Sequence, residues 1–314
     1  MSFASDTAVE RIGPRCFAAE LHDWWSSLVG IHGGYSAAVV VRAMEAAIGD
    51  PSRALRSVAV QFAAAPQAGP VEVEVAVERS GRSMTTTSAR LFQQGRLLQV
   101  AHAVSSGPWP GLAYDDHVRP RHSDPGDAPI FVPPGGIAHF RNAEVRLDPA
   151  VVPFGGGDEA WVAAWLRPID AEPIDAAWIV AMCDVLPPAV FSRTTGPVTA
   201  ASIEYVVHMA TGQPRLGSGE HVYLSCYSPL SSEGFAVEDA TMWAPDGRVL
   251  AVARQTRLAG AQPAGAGGPR PWSVPVHPGE QVPAEPQPRG QQHPARDRSP
   301  GDSGQQLAEG GGPG

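Results

Sequence analysis

The chain has 314 residues, enough for two domains of ordinary size or one large all-β or α/β domain, each with a real core. Apolar residues make up 43% and charged residues 18%, so it is globular on average; a formal charge of −9 argues against a general nucleic-acid binder, which needs clustered Lys and Arg. A small anionic ligand held by a few local arginines stays open. The opening MSFASDTAVERIGP carries Asp6 and Glu10 without an apolar core, so it does not read as a secretory signal. The apolar Ala37–Val41 run falls far below the roughly 20 residues of a membrane span, so no membrane span is expected. Cys16, Cys183 and Cys226 fit three reduced thiols in a cytoplasm better than a disulfide framework.

In chain order, Cys16 to Trp25 reads as a short strand or pair of strands anchored by Phe17, Leu21, Trp24 and Trp25. Ile31-His32-Gly33-Gly34-Tyr35 then opens a segment, Ser36 to Ile48, whose only ionised residues are Arg42 and Glu45. The run Val39-Val40-Val41 alone suits a strand, but length, Ala content and the Gly-Gly start predict a helix buried nearly all round. Gly49-Asp50-Pro51 ends it. Four strands follow: Leu55 to Phe62, Val71 to Glu78 with its period-two Val/Glu alternation, Met84 to Phe92, and Arg96 to Ser105.

Gly107 to Gly136 is rich in Pro, Gly, Asp and His and reads as a connection. The programme then repeats. Strands are predicted over Ala138 to Leu147 and Ala160 to Arg167, and a second apolar helix over Pro173 to Val185, ended by Pro187-Pro188. Thr199 to Met209, His221 to Tyr227, Phe235 to Trp243 and Val249 to Leu258 are strands again, the last two joined through Pro245-Asp246-Gly247. The turn-and-strand string Gly95-Arg96-Leu97-Leu98-Gln99-Val100-Ala101 parallels Gly247-Arg248-Val249-Leu250-Ala251-Val252-Ala253. With the order of elements agreeing throughout, internal duplication is the better explanation. The fold class expected is therefore α+β: two consecutive helix-plus-antiparallel-sheet units sharing one continuous sheet. The expected boundaries are residues 1–107 and 137–259 for the two units, 108–136 for the linker, and a disordered Pro/Gly-rich tail over 260–314.

These residues resemble acyl-CoA thioesterase II and its actinobacterial thioesterase-like relatives. The likeness is carried by Ile31-His32-Gly33-Gly34-Tyr35 before the buried helix, the Gly69–Val75 strand and Arg79-Ser80-Gly81-Arg82-Ser83. In the second half it is carried by Gly234-Phe235-Ala236-Val237-Glu238-Asp239 and the final Pro-Asp-Gly-Arg-x-Leu-Ala strand. It covers about Cys16 to Leu258 and implies a double hotdog that hydrolyses acyl-CoA. The family's working residues, an Asp on the second helix, a Thr or Ser at the start of the next strand and a Gln on the last, fall on Asp184, Ser202 and Gln255. Two departures stand out. The aromatic-His-Arg-Pro ending expected after the Ser strand is here Val207-His208-Met209-Ala210-Thr211, and its first-half counterpart is Phe62-Ala63-Ala64-Ala65.

Thioester hydrolysis needs a positioned water, an acceptor for its proton, and donors for a carbonyl oxygen gaining charge. Asp184, Ser202 and Gln255 could hold the water. A satisfied structural Asp, an ordinary strand-start Ser and an exposed Gln beside Arg254 are the bland alternatives. Gln255 aligns with Ala103 in the first copy, so the repeat itself does not require an amide there. Gly33-Gly34 offers N–H groups at a helix start, or simply allows close packing. His32, Gly33, Gly34 and Tyr35 are the candidate substrate-binding residues, with capping or packing the alternative for His32. Arg79 and Arg82 could meet coenzyme A phosphates or be solvated. Cys183 reads as a buried thiol. No G-x-S-x-G, H-E-x-x-H, P-loop or post-strand G-x-G-x-x-G is present. No metal and no cofactor is expected. Expected partners are the acyl-CoA and other copies of the chain. Binding without turnover is the main alternative; an enoyl-CoA hydratase would need an Asp/His pair on a hydratase-type loop, which the sequence does not offer.

Overall fold

The computed structural model describes residues 2–261 except 121–123, 134–136, 171, 197, 212, 213, 215 and 218. The expected tail lies outside the described residues from position 262 onward, and Gly260 and Ala261 belong to the last strand instead.

After a one-turn helix α1 (Phe3–Asp6) and a two-residue strand β1 (Glu10–Arg11), each half contributes five strands to one sheet. The first half supplies β2 (Cys16–Leu21), β5 (Ala54–Phe62), β6 (Gly69–Ser80), β7 (Met84–Gln93) and β8 (Arg96–Ser106). The second supplies β10 (Trp161–Pro168), β11 (Val198–Met209), β12 (Val222–Ser232), β13 (Phe235–Trp243) and β14 (Val249–Ala261), with β9 (Ala143–Leu147) at its edge. All twelve strands, including β1, form one sheet in the order β1-β2-β6-β7-β8-β5-β11-β14-β13-β12-β10-β9. The halves meet where β5 and β11 pair antiparallel, with Val60 opposite Tyr205 and Val58 opposite Val207. Outward from this seam both halves read alike: the strand after the helix, then the last, then the two middle strands, then the strand before the helix. The duplication is thus built into the sheet, with one more strand per copy than the four that follow each helix. This is a double hotdog.

Helix α2 (Gly33–Ile48) fills the first half. Ala37 to Val41 are buried, as the apolar run requires. His32 caps its start and Gly49, at φ 65°, ends it in the left-handed conformation that suits glycine. Helix α3 (Ala176–Met182) is shorter than the expected Pro173–Val185. Asp175 takes the N-cap and accepts the Trp178 N–H at 2.8 Å, leaving Pro173 upstream. Asp184 consequently lies in the turn beyond the helix, not on it. Arg42 of α2 reaches the Asp175 carboxylate at 2.6 Å and ties the two helices together.

Two other expectations shift. Of Cys16–Trp25 only Cys16–Leu21 is a strand, followed by a 3-10 turn over Asp23–Trp25; Ala138–Leu147 opens with a 3-10 turn, Ala138–Asn142. Part of the connecting segment packs on the sheet face opposite the helices. There Ala128 packs in a cluster with Trp165, Tyr223 and Trp243, and the Arg119 guanidinium lies 5.7 Å over the Trp165 ring. Between Ser27 and Gly30, a small hairpin of β3 (Ser26–Ser27) and β4 (Gly30–Ile31) precedes α2. No helix among the described residues is long and apolar enough to cross a membrane.

Candidate active site

Strand β14 alternates, so Ala251, Ala253, Gln255 and Arg257 all bury on one face. On β11 the register jumps between Ser202, opposite Arg257, and Glu204, opposite Thr256. That bulge turns Ser202 toward the same cluster. The turn after α3 brings Asp184 down from the helix layer, and α2 supplies its N-terminus.

These pieces converge on Asp184. Its Oδ1 accepts from Gln255 Nε2 at 2.7 Å and from Arg257 Nη2 at 3.1 Å. Its Oδ2 accepts the Gly34 backbone N–H at 2.9 Å and lies 3.4 Å from His32 Nε2. Ser202 Oγ donates to Gln255 Oε1 at 2.7 Å and accepts from Arg257 Nη1 at 3.0 Å. Arg257, Ser202, Gln255 and Asp184 therefore close a ring of hydrogen bonds. Arg257 is anchored from behind by Glu238 Oε1, at 2.9 Å from Nε and 2.7 Å from Nη2, and the other Glu238 oxygen accepts the Ala189 N–H at 2.6 Å.

Burial by itself would raise the Asp184 carboxyl, but the adjacent His32 and Arg257, the Gln255 amide and the Gly34 N–H outweigh it and hold it below the usual carboxylate range. Asp184 is thus ionised at neutral pH. Burial opposes the charge on Arg257 too, and Glu238 and Asp184 more than restore it. His32 accepts the Tyr35 N–H on Nδ1 at 3.1 Å and offers Nε2 to the Asp184 carbonyl at 2.9 Å. His139 stacks on it, ring centroids 4.6 Å apart. Burial, reinforced by His32, pushes His139 down to about 3, so it is neutral here.

Asp184, Ser202, Arg257, His32, His139 and Gly33 line one end of a cavity of about 480 Å³ whose remaining walls are mostly apolar, including Phe62, Ile137, Leu186 and Phe191. The Gly33 N–H has no hydrogen-bond partner among the described residues. It is a helix-start donor on the lining of a mostly apolar cavity, the setting in which a carbonyl oxygen gaining charge is stabilised. No cluster of three or more His, Cys, Asp or Glu among the described residues is arranged to hold a metal ion.

Of the residues singled out from sequence, the structure brings Asp184, Ser202 and Gln255 within hydrogen-bond reach, although Gln255 sits behind the other two and does not line the cavity. His32 both caps the helix and lines the cavity. Two of the expected substrate-binding residues, Gly34 and Tyr35, do not line the cavity. The Gly34 N–H is spent on Asp184, and a Cβ there would meet the Ala181 carbonyl at 2.5 Å, so Gly34 serves close packing. Tyr35 turns away from the cavity: its ring stacks on Trp25 at 4.5 Å and its hydroxyl donates to the Asp6 carbonyl at 2.7 Å. Arg257, Glu238 and His139 went unread. Arg257 had a visible signal, standing two positions after Gln255 and hence on the same strand face.

The fold is a double hotdog, with a buried polar cluster at one end of a mostly apolar cavity. The sequence matches two family models, the acyl-CoA thioesterase N-terminal domain over residues 21–106 and the acyl-CoA thioesterase C-terminal domain over residues 115–259. The chain belongs to the acyl-CoA thioesterase family and is a thioester hydrolase. Similar solved structures include a conserved protein of unknown function with hot dog fold from Alicyclobacillus acidocaldarius, 25% identical with a TM-score of 0.76 over 83% of this chain and 98% of that one. An acyl-CoA thioesterase II TesB2 from Mycobacterium marinum is 19% identical, TM-score 0.68, over 84% and 100%. A tesB protein from Mycobacterium avium subs paratuberculosis is 20% identical, TM-score 0.67, over 82% and 98%. A comparison with curated protein sequences found no match.

Proposed function

We propose that the chain hydrolyses an acyl-CoA thioester to a free acid and coenzyme A, using a water held by Asp184 and Ser202 at the polar end of the cavity, with Gln255 fixing both. The observation that carries this is the hydrogen-bonded set Ser202–Gln255–Asp184 opening onto an apolar cavity beside the uncommitted Gly33 N–H. The acyl chain occupies the apolar walls and its carbonyl oxygen faces Gly33. Asp184 accepts a proton from the water as the water oxygen attacks the carbonyl carbon. Negative charge gathers on the carbonyl oxygen, where the α2 N-terminus favours it. Collapse breaks the C–S bond, and the departing thiolate takes up the proton from Asp184. One water is consumed, giving one acid and one thiol.

Three free cysteines, two of them buried, suit a reducing compartment such as the cytoplasm. Free-thiol release measured over saturated acyl-CoAs of graded length tests the activity. The expected result is catalytic release with a preferred length. Binding with the thioester recovered intact for every length would contradict it and favour an acyl-CoA-binding role.

A further inference from the structure

The cluster holds more charge than water activation needs. Asp184 and Glu238 are both buried carboxylates, at 8% and 2% exposure, and one guanidinium lies between them. Burying an ion pair costs desolvation that contact alone seldom repays, so a triad of this kind calls for a role beyond stability. Glu238 grips Arg257 through Nε and Nη2, which fixes the guanidinium plane and leaves Nη1 aimed at Ser202.

Donor and acceptor identities then determine the rest. An ionised Asp184 only accepts, so the Gln255 NH₂ faces it and the Gln255 carbonyl faces Ser202. Ser202 must therefore donate to Gln255. Arg257 can only donate, and it occupies one Ser202 lone pair. What Ser202 has left for the cavity is its other lone pair. It can accept from a water and cannot donate to one.

We propose that Arg257, forked onto Glu238, is a positioning residue that keeps Asp184 ionised and fixes Ser202 as a hydrogen-bond acceptor toward the cavity. A water donating one hydrogen to Asp184 and the other to Ser202 has its oxygen lone pair free for the carbonyl. The orientation of that water rests on the thioesterase reading; the ionisation of Asp184 does not. The titratable and charged groups around Asp184 are His32 at the α2 start, His139 stacked on it, Cys183 in the same turn, Tyr205 on β11, Cys226 on β12, Glu238 on β13 and Arg257. Arg257 Nη2 contacts the carboxylate at 3.1 Å, His32 Nε2 lies 3.4 Å from its other oxygen, and Glu238 competes for Arg257.

The test is a ¹³C NMR titration of the carboxyl-labelled aspartates in the full chain, with the Asp184 signal assigned through Asp184→Asn. Glu238→Gln frees Arg257 for Asp184 and should lower its midpoint; Arg257→Lys should keep it low. Arg257→Gln should raise it by about one pH unit or more, a tenfold change in the proton equilibrium. Should that variant not fold, Arg257→Gln with Glu238→Gln removes both charges together and should still raise the midpoint. An Asp184 midpoint unmoved in a folded variant lacking Arg257 overturns the proposal. The acid limb of kcat/KM should follow the same shifts, which a merely structural arginine would not produce. NMR shifts without hydrolysis of any acyl-CoA would sink the thioesterase reading and leave the positioning role standing.

Discussion

Gly34 in the first copy of the repeat donates its backbone N–H to Asp184 in the second, 2.9 Å from the carboxylate oxygen. The first copy, without an acidic group of its own in the cluster, thereby completes the site of the second. A methyl group at position 34 would sit 2.5 Å from the Ala181 carbonyl and 2.9 Å from Asp184 Cβ. Gly34→Ala should therefore destabilise the fold by about 1–3 kcal/mol, the usual cost of overpacking, and abolish activity. At Gly33 the nearest atoms lie at 3.2 Å, Asp184 Oδ2 and a Phe62 ring carbon, so Gly33→Ala should keep more of the stability while still losing turnover. Thermal midpoints and free-thiol rates on the two variants check the contrast; equal losses of stability would refute it.

Gln255 touches Ser202 and Asp184 but not the cavity. Gln255→Ala should lower kcat by about 10²-fold with KM changed little, because it loosens the group that takes the proton and leaves the acyl contacts alone. Steady-state kinetics on the preferred substrate decide this. A KM effect larger than the kcat effect would place Gln255 in substrate binding.

Much of this was readable along the chain. The Ala37–Val41 run and the Gly-Gly start marked a helix buried on every side, and the repeated Gly-Arg turns marked the duplication. Asp184, Ser202 and Gln255 came from family resemblance. The charged half of the cluster stayed hidden because a lone Arg or Glu on a strand reads as solvated. Glu238 stands beside Asp239, which pairs with Arg254 on the exposed face, and only the β13–β14 register separates the two acids. Helical geometry carries Tyr35 off the cavity lining: two residues past Gly33 is more than half a turn.

His139 makes folding sensitive to mild acid. Its folded value of about 3 lies below the ordinary 6.5, so between those values the unfolded chain binds a proton that the folded chain does not. Stability must then rise with pH in that window and fall as pH drops, by up to about 1.4 kcal/mol per unit. Asp184 acts lower: held below its ordinary 3.8, it contributes fully above that value and loses its contribution as pH falls from there through its lower folded value. His139→Phe should flatten the dependence of the thermal midpoint between about pH 6.5 and 5, above the ordinary carboxylate range. Parallel slopes in both proteins would show that His139 is not the source.

On the proposed reading the cavity walls select the acyl length. Ala64 and Ala65 line it and leave room for a larger side chain to intrude. Ala65→Phe should move the preferred acyl-CoA to a shorter chain, read as a shift in the kcat/KM profile across the same graded series. An unchanged profile would put the acyl chain elsewhere in the cavity.

The central claim is that Asp184 takes the proton of the attacking water. Asp184→Asn keeps the shape and removes the charge, and free-thiol release from the preferred acyl-CoA measures the consequence directly. A loss of about 10²-fold or more in kcat, in a variant that stays folded, is the predicted result; release at the wild-type rate would contradict the mechanism.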